Sequence, residues 1–393
     1  MNDIIPYGRQ NIDRTDIKNV ISILKSDFLT QGPTVIAFEK DLAKFAKSKY
    51  AVAVNSATSA LHIACLSLDL KKGDILWTSP ISFVASSNCA LYCGADVNFV
   101  DIDPQTYNMS TKDLEKKLVT AKKLNKLPKI VIPVHLAGQS CDMKKIHKLG
   151  KKYGFKIIED ASHAIGGKYK GKNIGNCTYS DITIYSFHPV KIITTGEGGA
   201  ILTNNKELYI KLQNLRSHGI TRNPMEMSKS IDGPWYYEQI DLGFNYRITD
   251  IQAALGISQL KRINSFIKRR HQIVGLYNKL LTNTKLVLPY QNNETKSSYH
   301  LYIVRVPTIS NLVRNELFER LRSNGILVNL HYIPIYKHPY YKTKFKFKET
   351  DFPESEKYYA EAISLPIYYD LKDSEIQKIV KILKTPFKNQ TSS

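Results

Sequence analysis

Ser186-Phe187-His188-Pro189-Val190-Lys191, followed by Thr194-Thr195-Gly196-Glu197-Gly198-Gly199, is the stretch on which the fold reading turns. Asp181-Ile182-Thr183-Ile184-Tyr185 before it is rich in β-branched and aromatic residues and reads as a short buried strand. Ala200-Ile201-Leu202-Thr203 after it reads as a second strand. Lys191 therefore sits on a loop between two apolar strands, where a cation is costly unless its amine is used. An amine in a partly dry site has its pKa lowered and becomes a nucleophile toward carbonyl carbon. Most lone loop lysines are simply solvated, so its surroundings decide.

Upstream, strand and helix patterns alternate. Phe38–Phe45 and Ser59–Leu66 have helical spacing, and Ala51–Val54 is strand-like. Ile75–Trp77, Val97–Val100, Ile130–Val134 and Lys156–Ile158 are further apolar strands. Such alternation predicts an α/β fold: a mixed, mostly parallel sheet covered by helices on both faces. Ligands collect at the carboxyl ends of the strands in such sheets. A long helix opens at Ile251 and runs towards Leu281, followed by a strand over Tyr299–Val306 and a helix between Asn311 and Ser323. The pattern predicts a large domain with an N-terminal arm over 1–250 and a smaller α+β domain over 251–393. The tail after Pro386 is expected to be loose.

Composition narrows the function classes. Of 393 residues, 42% are hydrophobic and 23% charged, which excludes a disordered chain. No apolar run approaches the roughly 18 residues of a membrane span, and Met1–Pro6 lacks the basic and apolar regions of a signal peptide. Five cysteines without metal-ligand spacing predict reduced thiols in a cytoplasmic protein and no metal site. The net charge of +21 could serve nucleic acid, yet the lysines are spread along the chain and no nucleic-acid motif accompanies them. A polyanionic small substrate such as a nucleotide fits the same sign.

Four features follow expected strands. Asn55-Ser56-Ala57-Thr58 separates a strand from a helix; it is either an N-cap or a phosphate cradle of backbone N–H groups. Phe83 follows Ile75–Trp77 and could stack on a flat cofactor or belong to the core. Glu159-Asp160 ends an apolar strand in two carboxylates; a carboxylate opposite a pyridinium nitrogen keeps that nitrogen protonated. Ser186 and Lys191 complete the series. Cradle, ring, strand-end aspartate and loop lysine, in that order, are the parts of a pyridoxal-phosphate site.

Asn55-Ser56-Ala57-Thr58-Ser59-Ala60-Leu61, Glu159-Asp160-Ala161-Ser162-His163-Ala164, Ser186-Phe187-His188-Pro189-Val190-Lys191 and Gly243-Phe244-Asn245-Tyr246-Arg247 resemble the DegT/DnrJ-type nucleotide-sugar aminotransferases. The resemblance runs from Leu29-Thr30-Gln31-Gly32-Pro33 to Pro366. It implies the type I fold of pyridoxal-phosphate aminotransferases, with Lys191 as the catalytic residue that bonds the cofactor and shuttles the proton. It also implies Asp160 on the pyridine nitrogen, His163 beside the 3-hydroxyl, Phe83 on the ring, and Ala57, Thr58 and Ser186 on the phosphate. Many members carry Gln where His163 stands. Asn245 would reach the phosphate from a neighbouring subunit, so a homodimer with shared sites is implied.

Pro133–Gln139, Gly233–Glu238 and His331-Tyr332-Ile333-Pro334 resemble the branch of the family that serves pseudaminic acid synthesis. That likeness implies L-glutamate as donor and a UDP-linked 2-acetamido-2,6-dideoxy-4-hexulose as acceptor. Arg247, His331 and Tyr332 are candidates for holding the sugar or its diphosphate. Another nucleotide-linked keto sugar, or a non-catalytic regulator on the same fold, are the alternatives. Relatives that remove a hydroxyl carry histidine in place of the lysine, so Lys191 argues against that activity.

Overall fold

Seven strands make the central sheet: β1 (Tyr50–Val54), β2 (Ile75–Thr78), β3 (Asp96–Phe99), β4 (Ile130–Ile132), β5 (Lys156–Asp160), β6 (Ile182–Ser186) and β7 (Gly199–Thr203). The computed structural model describes residues 4–228, 233–307 and 311–385, and the tail after Pro386 lies outside the described residues. In space the strands run β1-β7-β6-β5-β4-β2-β3. β7 is antiparallel to both neighbours, while all other pairs are parallel.

That single reversal builds the site. The chain turns back after β6, and β7 slots between β6 and β1. In register, Gly199 then faces Ser186 on one side and Val54 on the other. The ends of β1 and β6 and the start of β7 thus meet at one edge of the sheet, with the Lys191 loop above them. Every residue of β6 and β7 is buried, which explains why both read as continuous apolar runs.

Side-chain alternation gives the sheet two buried faces. Val52, Val54, Ile158, Ile182, Ile184 and Ile201 pack on one face with the helices Ala57–Ser67 and Ala85–Tyr92. Ala51, Ala53, Tyr185, Phe187 and Leu202 pack on the other, against the helix Pro33–Ala46 and the first half of the helix Asp250–Leu281. That long helix continues into a third core, where Ile273, Val274, Tyr277 and Leu281 meet Tyr302, Val304, Ile363 and Leu365. The last four come from an antiparallel pair, Tyr302–Arg305 with Ala362–Leu365. Ile5 joins the same core and lies between Gly325 and Leu327, accepting from one N–H at 2.8 Å and donating at 2.9 Å.

The start of the long helix also caps another. The helix Pro33–Ala46 has no side-chain cap of its own, and the fully buried Asp250 carboxylate accepts from Gly32 N at 2.6 Å and Thr34 N at 2.8 Å. The expected strand over Tyr299–Val306 is shorter, because Tyr299 has a φ of 48° and cannot continue an extended strand. Arg270 holds that bend by donating to the carbonyls of Tyr299, His300 and Ile367 at 3.0–3.2 Å. Among the described residues, no helix is long and apolar enough to cross a membrane, and no cluster of His, Cys, Asp and Glu suits a metal. All five cysteines are free thiols.

Candidate active site

A cavity of roughly 740 Å³ opens at the carboxyl ends of β1, β5 and β6. Ala57, Thr58, Phe83, Asp160, His163, Ser186, Lys191, His331 and Tyr332 all line it. At one end begins the helix Ala57–Ser67, capped by Ser56, whose hydroxyl accepts from Ser59 N at 3.0 Å. The cap engages Ser59, so the N–H groups of Ala57 and Thr58 have no intrahelical partner and form the positive end of the helix. The N-cap is thus what the geometry shows, and it leaves both N–H groups at the cavity end of the helix. Gly199 lets β7 approach it, since a Cβ there would lie 2.6 Å from Ala57 N.

The two carboxylates at the end of β5 do not act together. Alternation along the strand turns Glu159 away, where it contacts His135 Nε2 at 2.8 Å and accepts from Ser180 and Thr183. Asp160 alone enters the cavity. It is 4% exposed; its Oδ1 accepts from Ser162 N at 3.1 Å and its Oδ2 from Ser86 Oγ at 2.6 Å.

Lys191 comes from the loop opposite. Burial pulls its amine down to about 8, while the Asp160 carboxylate works the other way. Phe83 is 58% exposed within the cleft, its ring centroid 6.3 Å from that of Tyr332. A large aromatic left that open is poorly placed as core and well placed as a platform.

Three buried imidazoles complete the wall. Burial first, and then the Lys191 charge, push His163 well below its ordinary value. Ala137 N–H donates to His163 Nδ1 at 3.3 Å, so the neutral ring carries its proton on Nε2 and gives it to Tyr332 Oη at 3.0 Å. His331 is pushed down to about 3 by burial and by Lys191, and its Nδ1 contacts Ser364 Oγ at 2.9 Å. His300 stands with its ring 4.3 Å from that of His163.

Two expected residues lie elsewhere on the single chain. Asn245 is exposed and pairs with Ser217 through the backbone. Arg247 lines a separate surface hollow with His218, Arg222 and Tyr237. Conversely, Tyr7, Ser82, Ser86, His300 and Asn329 line the cavity without having been singled out from the sequence. Tyr7 and Asn329 arrive from distant segments, and no local pattern marks them. Ser82 lies before the helix Ala85–Tyr92 and Ser86 within it, so helical spacing does not mark the two as a pair.

Residues 10–384 match the DegT/DnrJ/EryC1/StrS aminotransferase family. A UDP-4-amino-4,6-dideoxy-N-acetyl-beta-L-altrosamine transaminase of Campylobacter jejuni (serotype O:23/36) is 39% identical over 95% of this chain and 96% of its own. The solved Helicobacter pylori PseC, an aminotransferase involved in the biosynthesis of pseudoaminic acid, superposes with a TM-score of 0.89 at 32% identity, covering 97% of this chain and 99% of its own. A Streptococcus pneumoniae protein, described as a sugar aminotransferase and solved in its PLP-form, gives 0.87 at 29% identity, with 97% and 98% covered. With the type I aminotransferase fold and the pyridoxal-phosphate dependence of these relatives, the chain belongs to the DegT/DnrJ/EryC1/StrS family and is a sugar aminotransferase.

Proposed function

We propose that the enzyme moves the amino group of L-glutamate to C4 of a UDP-linked 2-acetamido-2,6-dideoxy-4-hexulose, giving UDP-4-amino-4,6-dideoxy-N-acetyl-β-L-altrosamine. The observation that carries this reading is the 39% identity, over 95% of the chain, to a transaminase named for that product. Lys191, Asp160, Phe83 and the open helix start around one cavity support it chemically.

The residues present fit pyridoxal phosphate. The unpartnered N–H groups of Ala57 and Thr58, with the Ser186 hydroxyl, would hold its phosphate. Phe83 would lie against the ring, Asp160 would pair with the ring nitrogen, and His163 would stand beside the 3-oxygen. When bound, the cofactor supplies an electron sink that makes a proton on the amine-bearing carbon removable. Lys191 Nζ takes that proton from glutamate and later delivers one to C4 of the sugar. Burial lowers that amine to about 8, so more of it is neutral near pH 7 than of an exposed lysine. Tyr332, whose oxygen lies 3.0 Å from His163 Nε2, and His331 both line the cavity and would hold the sugar. Arg247 would serve the diphosphate.

The same reading makes the working unit a cytoplasmic homodimer in which Asn245 reaches the partner's phosphate site. It also divides each chain into a cofactor-binding part over 1–250 and a smaller part over 251–393. Small-molecule anions, and not nucleic acid, account for the basic charge.

Incubating the purified protein with glutamate and a panel of UDP- and dTDP-linked 4-keto sugars tests the reading, with products identified by mass and NMR. The expected result is one UDP product with an equatorial-or-axial assignment at C4 matching the altrosamine sugar. Amination only of a different sugar or of a dTDP substrate would overturn it.

A further inference from the structure

Asp160 is held by a chain of two hydroxyls. Ser86 Oγ lies 2.6 Å from Asp160 Oδ2, and Ser82 Oγ lies 2.7 Å from Ser86 Oγ. All three side chains are buried, at 4% exposure or less. A carboxylate can only accept, so Ser86 gives its single proton to Asp160. Ser82 must then be the donor to Ser86. Both protons run in one direction, and each bond polarises the next.

The geometry closes on the carboxylate from two sides. Ser162 N–H fixes Oδ1 while the serine chain fixes Oδ2, so the plane of the group is set before anything enters the cavity. The serines also flank Phe83. Ser86 N donates to the Phe83 carbonyl at 3.2 Å, within the turn that opens the helix Ala85–Tyr92. One turn therefore carries the aromatic platform and the hydroxyls that aim the aspartate. A pair of serines serving only their own satisfaction would not need to end on a cavity carboxylate.

We propose that Ser86, backed by Ser82, is a positioning residue that aims the Asp160 carboxylate at the cofactor's ring nitrogen. This rests on the proposed pairing of Asp160 with that nitrogen. Removing Ser86 lets the carboxylate rotate and takes away a charge-assisted hydrogen bond. Removing Ser82 acts only through Ser86.

The test compares Ser86→Ala, Ser86→Thr, Ser82→Ala, the Ser82→Ala/Ser86→Ala double variant and Asp160→Asn. For each full-length protein three quantities are read: pyridoxal-phosphate affinity after resolution, the pH titration of the bound cofactor's visible absorbance, and the glutamate half-reaction rate. Ser86→Ala should weaken affinity about tenfold, displace the absorbance midpoint, and slow the half-reaction by about ten- to a hundredfold. Ser86→Thr, which keeps the hydroxyl, should recover to within about threefold. Ser82→Ala should act in the same direction by about threefold, and add nothing in the Ser86→Ala background. If Ser86→Ala does not fold, Ser82→Ala and Ser86→Thr carry the same comparison. Additive effects of the two serines, or a Ser86→Ala protein with wild-type titration and affinity beside a damaged Asp160→Asn, would overturn the positioning role. An Asp160→Asn protein with both readouts unchanged would instead overturn the ring-nitrogen pairing beneath it.

Discussion

Gly199 touches the first amide of the helix Ala57–Ser67: a Cβ on it would stand 2.6 Å from Ala57 N and 2.7 Å from the Ser56 carbonyl. Both are backbone atoms and cannot swing aside. Gly199→Ala must therefore push β7 away from the helix start, at an overpacking cost of about 1–3 kcal/mol. The expected outcome is cofactor affinity at least about tenfold weaker, with the circular-dichroism spectrum retained. Unchanged affinity in an equilibrium titration would detach the helix start from phosphate binding.

Lys191 links the site to stability. Its amine falls from an ordinary 10.5 to about 8 in the folded chain. Between those values the unfolded chain binds more protons, so folding is penalised below about 8, and the penalty fades as pH rises towards 10.5. Lys191→Met should thus stabilise the cofactor-free protein by about 2 kcal/mol at pH 7, after allowance for partial exposure. The gain should shrink on approaching pH 10. Denaturant melts of both proteins at the two pH values measure it, and an equal gain at both would exclude burial of the amine as its source. The variant should also have no residue that borohydride can fix to the cofactor.

Asp160 faces the cavity without its strand neighbour, so its substitution should be specific. Asp160→Asn keeps the shape and the Ser162 contact but removes the charge proposed for the ring nitrogen. Loss of one member of a buried charge pair costs roughly 3–5 kcal/mol, which predicts a half-reaction slower by about two to four orders of magnitude. A stopped-flow rate within a factor of ten of wild type would show that another group keeps the ring protonated.

Comparison of Glu159 with Asp160 shows where sequence reasoning reached its limit. The sheet strands, the long helix and the Lys191 loop were legible because apolar runs and their spacing are local properties. The placement of Asp160, Lys191, Phe83 and Ser186 around one cavity was legible because each lies at or after a strand end, at the edge where ligands collect. The separation of Glu159 needed His135 and Ser180 on the far face, which only packing supplies. Tyr7 and Asn329 were silent for a similar reason. The N-terminal arm threads into the C-terminal core through Ile5, and that pairing spans more than three hundred residues with no periodic trace.

The final prediction concerns Asn245, which a single chain leaves exposed and outside the cavity. Nearby in sequence, Leu242 is 75% exposed, and on the helix Arg14–Leu24 the side chains of Ile17, Ile21 and Leu24 are 44–55% exposed. Apolar groups left open in this way suit a covering partner. If the partner is a second copy and Asn245 completes its phosphate site, two inactive variants should rescue each other. Lys191→Ala supplies a good Asn245, and Asn245→Arg supplies a good Lys191. Each mixed dimer then holds one intact site, and random exchange should restore about a quarter of wild-type activity. If Asn245 serves its own chain, or serves nothing, no mixed dimer contains a repaired site and the mixture stays at the sum of its parents. Activity measured before and after subunit exchange under mild denaturant separates the two results, and absence of rescue despite proven exchange by native mass spectrometry would sink the shared site.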